Sequence, residues 1–272
     1  MKNITVAALY IYPVKSMSGI EVKQIEFDKY GARYDRNWMV IDENGNALTQ
    51  RQNKQLALFK LTLTDEFIEF SFQNQKFRLE HSSYTNNQRI LAKVWAFGEE
   101  LIDCGAEIAL FLSDCLKQNC RLVKIDMSYS RCSSGENGSP IALVDSRQLL
   151  LTSIESLTWL NDKLVTDGFL PVTMNRFRPN IVLSGGDMAF YENRLQQIEL
   201  GNVGLRREKA CGRCLVITLD QKTAEQKDNG PLKILAKHNR DDKNKAAAFG
   251  TYFNALNDTG VINLGDICQI KS

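Results

Sequence analysis

The sequence predicts a mainly β protein with a few helices (α+β), built as an N-terminal β-barrel-like domain followed by a second β-rich domain. Three observations lead there. The first third is a series of short runs alternating apolar and polar residues, separated by turn residues at regular spacing. Helical periodicity is confined to three separate stretches, and β character returns through the last third. A chain of 272 residues exceeds the commonest single-domain size, so two domains are expected.

Thr5 to Val14 is a strand-like run rich in Tyr and Val. Ile20, Val22, Ile25 and Phe27 continue the alternation of half-buried strands, with a slip of phase between Val22 and Ile25. Trp38 to Ile41, the turn Asp42-Glu43-Asn44-Gly45-Asn46 and then Ala47-Leu48-Thr49 form a hairpin in which Asn-Gly supplies positive backbone angles. Further strands are expected at Leu58 to Leu63, Ile68 to Phe72, Phe77 to Leu79 and Ile90 to Ala96, a spacing that suits a barrel or sandwich. A helix fits Ala106 to Lys117, where Ile108, Phe111, Leu112 and Cys115 share a face. Cys120 to Met127 reads as a strand, and the polar stretch Ser128 to Pro140 is a loop with a domain junction near its start. Thr152-Ser153-Ile154-Glu155 has the capping-box form and introduces a helix running to about Leu164. Strands are then expected at Ile181 to Leu183, in a hairpin through Gly201-Asn202, and at Leu215 to Leu219, Phe249 to Phe253 and Val261 to Ile270. Pro231 to His238 is a short helix with Pro in its first turn.

A hydrophobic fraction of 43% with 24% charged residues is that of an ordinary soluble globular protein. Lys+Arg 34 against Asp+Glu 32 creates no global field for nucleic acid or membranes, so any anion site must be local. The N-terminus carries no apolar h-region, Arg-rich presequence or lipidation signal, and no stretch approaches a membrane span. Seven scattered cysteines read as the reduced thiols of a cytoplasmic protein. His81 and His238, in unrelated polar settings, read as surface residues and argue against a His-based zinc site or a Ser-His or Cys-His engine.

Chemistry concentrates in a few segments. Cys211-Gly212-Arg213-Cys214 admits four readings. As half of a zinc knuckle it lacks a second Cys pair. As a redox dithiol it should open a helix after a strand, yet the β-prone Leu215-Val216-Ile217-Thr218-Leu219 follows. It can also be a single soft thiolate beside Arg213, whose guanidinium favours ionised sulfur and can hold an anion, or a buried inert pair. In Tyr12-Pro13-Val14-Lys15-Ser16 a strand meets proline, and the Lys-Ser pair offers a charge and a hydroxyl to a phosphate or carboxylate, unless it is simply exposed. Arg36 lies between Asp35 and Trp38, which position it or pair with it structurally. Arg176-Phe177-Arg178-Pro179-Asn180 sets two cations and an amide before an apolar strand, suited to phosphate or to structural ion pairs. Asp145 is a general base, an acceptor for a heterocycle, or a cap. Neither a Walker-type loop nor a Gly-x-Gly-x-x-Gly turn occurs, and Gly185-Gly186 reads as a turn.

In order along the chain, Ile11-Tyr12-Pro13-Val14-Lys15-Ser16, Asp35-Arg36-Asn37-Trp38, Asn175-Arg176-Phe177-Arg178-Pro179-Asn180-Ile181, Cys211-Gly212-Arg213-Cys214, Pro231-Leu232-Lys233, Phe249-Gly250-Thr251-Tyr252-Phe253 and Gly265-Asp266 resemble the MOSC superfamily. The resemblance is to proteins with an N-terminal MOSC-type β-barrel domain followed by a MOSC β-barrel domain, among them the mitochondrial amidoxime-reducing components and YcbX-like proteins. It implies domains at 1–122 and 123–272. It also implies a molybdenum cofactor of the molybdopterin form, with Cys214 as the thiolate ligand and Gly212 and Arg213 lining the cofactor. Lys15, Ser16, Arg36, Arg178 and Asn180 would bind its phosphate and pterin, while Asp145, Ser146 and Tyr252 would line the pocket. The implied activity is reduction of small N-hydroxylated or N-oxygenated compounds by oxygen-atom transfer, with a non-catalytic cofactor carrier or sulfur-transfer module as the alternative. YcbX-like relatives often carry a plant-type ferredoxin domain with Cys-x4-Cys-x2-Cys, whereas here Cys268 is the only cysteine after Cys214. Electrons are therefore expected from a separate ferredoxin-, cytochrome b5- or flavoprotein-like donor, with no nucleic acid and no membrane as partner. The chain departs from the family pattern at Gly212, at Ala224 where Gly is common, and at Arg147, expected to reshape the substrate entrance.

Overall fold

A computed structural model describes residues 3–84, 88–134, 138–241 and 245–271. Among them lie eighteen strands and three α-helices, α1 (Ala106–Leu116), α2 (Ile154–Thr166) and α3 (Gly230–His238), so the mainly β, α+β class expected from the sequence is the one observed. None of these helices is long and apolar enough to cross a membrane.

The largest sheet has eight strands in the order Gln269–Lys271, Gln197–Leu200, Val203–Gly212, Ala248–Ala255, Leu149–Ser153, Ile181–Ser184, Thr5–Ile11 and Ile20–Val22. Its pairs are antiparallel except Leu149–Ser153 with Ile181–Ser184, whose parallel pairing needs a crossover, supplied by α2. Thr5–Ile11 pairs with Ile181–Ser184, so the first strand of the chain is laid into the sheet of the second half. This brings Tyr12 to Met17 beside the segment that precedes residue 181, the first requirement for one composite site. A four-stranded sheet (Trp38–Ile41, Arg121–Lys124, Phe97–Asp103, Arg89–Val94) and the three-stranded meander Lys60–Leu63, Phe67–Phe72, Gln75–Glu80 belong to the N-terminal half. A fourth sheet joins Gly260–Asn263 to Gln24–Asp28 and Gly31–Ala32.

Alternation decides which faces are dry. Phe67–Phe72 buries Ile68, Phe70 and Phe72 against Phe59 and α1, with Trp38 and Tyr84 in the same core. In the large sheet Leu9, Leu151, Ile181, Leu205 and Phe253 form a second core, and α2 and α3 close over Phe177 and Phe249. Each such side chain contributes about 1.5–3 kcal/mol of burial.

Several elements differ from the sequence expectation, each for a local reason. The first strand stops at Ile11 because Pro13 cannot donate to a ladder. The phase slip after Val22 is a change of sheet, since Ile20–Val22 pairs with Thr5–Ile11 and Gln24–Asp28 with Gly260–Asn263. In the turn after Ile41 only Gly45 has positive φ (77°), and a Cβ there would meet Leu91 O at 2.4 Å. The return arm makes a single bridge, Ile41 to Ala47. The run from Ile90 turns back at Trp95 into Phe97–Asp103, a strand hidden by Glu99 and Glu100. Helix α2 is capped by Ser153, which accepts from Ser156 N, rather than by Thr152. The expected strand over 215–219 is instead the 3-10 turn Leu215–Thr218. There Arg213 N makes the last ladder contact with Ala247 O, and Thr218 Oγ1 donates back to Leu215 O at 2.7 Å, so local bonding outweighs β propensity. The expected run 261–270 is split by Gly265 (φ +87°) into two strands of different sheets. His81 is a half-buried member of an aromatic stack rather than a surface residue, with Nδ1 at 2.9 Å from Tyr84 Oη and its ring 5.5 Å from that of Trp38.

Two features yield stability predictions. Glu192, fully buried, accepts from Ser153 Oγ (2.9 Å) and Ser156 Oγ (2.8 Å) at the N-terminus of α2. Burial raises its carboxyl above the ordinary 4.5 despite those bonds. Glu192→Ala should cost about 3 kcal/mol in denaturant unfolding, while Glu192→Gln keeps the acceptor and most of the stability. Because the folded value is the higher one, wild-type stability should decline as pH rises above the ordinary 4.5 toward the folded value, a dependence that Glu192→Gln removes. Ala224, in the turn closed by Ala224 N to Asp220 O (2.9 Å), sits at φ 56°. Ala224→Gly should therefore raise stability by up to about 1 kcal/mol.

Candidate functional site

One cleft is lined by all eleven residues singled out in the sequence: Lys15, Ser16, Arg36, Asp145, Ser146, Arg178, Asn180, Gly212, Arg213, Cys214 and Tyr252. They come from both halves of the chain. Lys15 and Ser16 follow the first strand, where Lys15 N bonds to Trp38 O (2.8 Å) and Ser16 takes φ 68° to turn the chain. Lys15 is nearly buried, donating to Leu143 O (2.8 Å) and to Asp145. Burial pulls its ammonium below the usual lysine range, offset in part by Asp145. Burial raises the Asp145 carboxyl, but the charge and hydrogen bond of Lys15, with Arg51 and Arg36 beyond, prevail and bring it down to about 2. Asp145 is thus a fixed anion that aims Lys15, not a proton donor near neutrality.

Arg36 and Arg178 form the second cluster. Both have left-handed backbones (φ 53° and 56°), which fold their side chains back over the ring of Tyr12 at 4.2 and 4.4 Å. Arg36 is held by Asp35, by Asn180 Oδ1 (3.2 Å) and by Arg178 O (3.3 Å). Asn180 is buried and ties three strands, accepting from Leu150 N (3.2 Å) and donating to Tyr10 O (3.3 Å). Arg178 donates to Met17 O (2.6 Å) and has no carboxylate within salt-bridge distance among the described residues. Burial, and then repulsion from Arg36, lower its guanidinium to about 10. A buried cation beside another cation calls for an anion.

The two cysteines separate sharply. Cys211, in Val203–Gly212, is 1% exposed with a thiol pushed up by burial, and Tyr252 bonds to it. Cys214 is exposed and caps the 3-10 turn Leu215–Thr218. It therefore stands at the start of a helical turn after a strand, the placement the sequence argued against. The cation beside Cys214 also differs from expectation. Arg213 is drawn onto backbone oxygens, Phe249 O (2.6 and 2.9 Å) and Phe177 O (2.9 Å), while Arg51 Nη2 lies 3.4 Å from Cys214 Sγ and 3.7 Å from Asp145. Arg51 stacks on Trp95, whose ring centre is 5.3 Å away. Sequence reading missed Arg51 because it reaches Cys214 across 163 positions of chain, a contact that only the closed fold creates. Arg147 lines the cleft but is pinned by Glu208 (3.3 Å) and Ser134 O (2.7 Å). Arg176 is paired with Asp220 at 3.0 Å.

Among the described residues seven cations line the cleft, against four carboxylates that contact them (Asp35, Asp145, Glu208, Asp220), an excess of three. Among the described residues no group of three or more His, Cys, Asp or Glu side chains gathers as a metal cage. The site can therefore hold a polyanion and offers one reachable thiol.

A model of the MOSC N-terminal beta barrel domain matches residues 3–119, and one of the MOSC domain matches residues 138–269. The chain is 34% identical over 280 aligned positions to mitochondrial amidoxime-reducing component 1 of Mus musculus, covering 96% of this chain and 81% of that protein. The Homo sapiens counterpart is 33% identical with the same coverage. Molybdenum cofactor sulfurase of Danio rerio is 29% identical over 92% of this chain, which spans only 32% of that longer protein. With both domain models matched in order and relatives aligned over nearly its whole length, the chain belongs to the MOSC family, with a MOSC N-terminal beta barrel domain followed by a MOSC domain.

Proposed function

We propose that this protein is a molybdenum-cofactor-dependent oxidoreductase that reduces N-hydroxylated or related N-oxygenated small molecules, with electrons delivered by a separate ferredoxin-, cytochrome b5- or flavoprotein-like protein. The observation that carries this reading is the exposed Cys214 thiol beside Arg51, at the edge of a cleft with three uncompensated cations. The donor set suits the cofactor, since a phosphate dianion and a soft thiolate-binding metal ask for what this cleft offers. The amidoxime-reducing relatives supply the substrate class.

Under this reading the cofactor, when bound, supplies two-electron chemistry at molybdenum that removes the oxygen of an N–O bond. Everything else falls to the chain. Cys214 Sγ would hold the metal. Arg178, Arg36, Lys15 and Ser16 neutralise and orient the phosphate and pterin, and Asp35 and Asn180 keep Arg36 aimed. Gly212, Arg213, Ser146 and Tyr252 form the walls, with Arg213 fixed by backbone oxygens so that its aromatic neighbour Phe177 stays in place. Asp145, ionised, holds Lys15 and Arg51 in the cleft. Arg51 then sets charge beside the sulfur. Arg51→Met should lower kcat/KM about tenfold, the value of roughly one charge-assisted bond. Its thermal midpoint should stay at the wild-type value because the side chain is 37% exposed.

The second reading, a cofactor carrier or sulfur-transfer module, is favoured by the similarity to molybdenum cofactor sulfurase. The experiment that separates the two gives cofactor-loaded protein an artificial reduced electron donor and an amidoxime, and measures amidine. Amidine formation that requires the protein supports the reductase; loaded protein inert toward a panel of N-hydroxylated compounds supports the carrier.

A further inference from the structure

A second cavity, of about 310 Å³, opens on the N-terminal half and shares no lining residue with the cleft. Its wall includes the apolar and aromatic side chains of Tyr34, Tyr84, His81 and Ile102, and two polar groups of the lining lack a hydrogen-bond partner among the described residues. Lys124 is half-buried at the end of Arg121–Lys124, with Nζ 5.0 Å from the ring centre of Trp38 and 5.8 Å from that of Tyr84. Among the described residues it has no hydrogen bond and no carboxylate within 4 Å. Asn37, on the same wall, makes no side-chain hydrogen bond among them either.

The lining carries two cations, Arg33 and Lys124, and two carboxylates, Asp28 and Asp126, and all but Lys124 have hydrogen-bond partners among the described residues. Arg33 is held by Glu26 and Asp65, Asp126 by Arg89 and by Ser128 N, and Asp28 accepts from Tyr30 N. Lys124 is the group left without an acceptor, and burial lowers its ammonium below the usual lysine range despite Cys104 and Asp126. The rings nearby already hold a cation. What the cavity lacks is an acceptor for the Lys124 ammonium and a flat apolar body.

We propose that this cavity is a binding site for a small planar aromatic carboxylate, its carboxylate on Lys124 and Asn37 and its ring against Tyr34 and His81. A single ammonium balances a single negative charge, so a phosphate dianion would remain half-compensated in a largely apolar pocket. A carboxylate also makes a charge-assisted bond with the ammonium and accepts from the Asn37 amide. Tyr34 and His81 stack on each other with ring centres 6.3 Å apart and planes 23° apart, and an aromatic ligand gains from edge or offset contact with such a cluster. Asn37 follows Arg36 of the cofactor cleft, so the two sites lie on either side of one short segment without sharing a side chain.

The test is calorimetric titration of the full-length protein with 2-naphthoate, alongside the neutral 2-naphthalenemethanol. Sub-millimolar binding of the carboxylate is expected, with the alcohol at least tenfold weaker. Lys124→Met should lose at least tenfold and Asn37→Ala about threefold, whereas Arg178→Met in the other cleft should leave binding unchanged. Should Lys124→Met fail to fold by circular dichroism, Lys124→Gln takes its place. Absence of binding, equal affinity for acid and alcohol, or loss in Arg178→Met but not in the Lys124 variant would overturn the proposal.

Discussion

Cys214→Ala is expected to lose molybdenum and at least about a thousandfold in turnover, while Cys211→Ala keeps both within a few fold. The two residues differ by three positions but not by chemistry, so their environments must decide. Cys214 is exposed at the cap of a turn, with the Arg51 guanidinium 3.4 Å from its sulfur. Cys211 is 1% exposed, and burial holds its thiol in the protonated form, which is not a metal ligand. Losing its sulfur leaves a small cavity worth about 1 kcal/mol of stability, too little to unfold a core of this size. Molybdenum content by mass spectrometry and initial rates on an amidoxime measure both effects. Equal loss in the two variants would point to a dithiol site instead.

The second large effect is expected at Arg178. Arg178→Met should weaken cofactor retention by about a hundredfold or more, the scale of a buried charge-assisted contact to phosphate. The apo protein should respond in the opposite direction. In the apo fold Arg178 is a buried cation without a carboxylate partner among the described residues, lowered to about 10 by that burial and then by repulsion from Arg36. Replacing it with an apolar side chain removes that repulsion at the cost of one bond to Met17 O, so thermal stability should hold or rise. Thermal scans of apo protein and cofactor content of protein purified from a cofactor-competent host read the two signs separately. A merely structural arginine would lower both together.

Much of this site was legible because its pieces flank strongly patterned strands. Lys15 stands just past a Tyr- and Val-rich run that ends at proline, and Arg178 and Asn180 just before Ile181–Ser184. Since Thr5–Ile11 pairs with Ile181–Ser184, two strand ends distant in sequence meet at one spot. Convergence of cations was therefore readable in outline, but the pairing of individual charges was not. Nothing near Arg51 announces that it will reach Cys214, nor does anything near Arg213 announce that two backbone oxygens will hold it. Both outcomes depend on closure between the halves. The turn at 215–218 failed for a related reason, because burying Ile217 beside Phe177 and α3 outweighs the β propensity of four residues. His81 was misread because polar neighbours in sequence concealed an aromatic stack assembled from distant strands.

The most direct measurement of the central claim is metal analysis of the protein purified from a host that makes the molybdenum cofactor. About one molybdenum per chain, lost in Cys214→Ala and retained in Cys211→Ala, is the predicted result. Zinc in place of molybdenum, or molybdenum indifferent to Cys214, would contradict it.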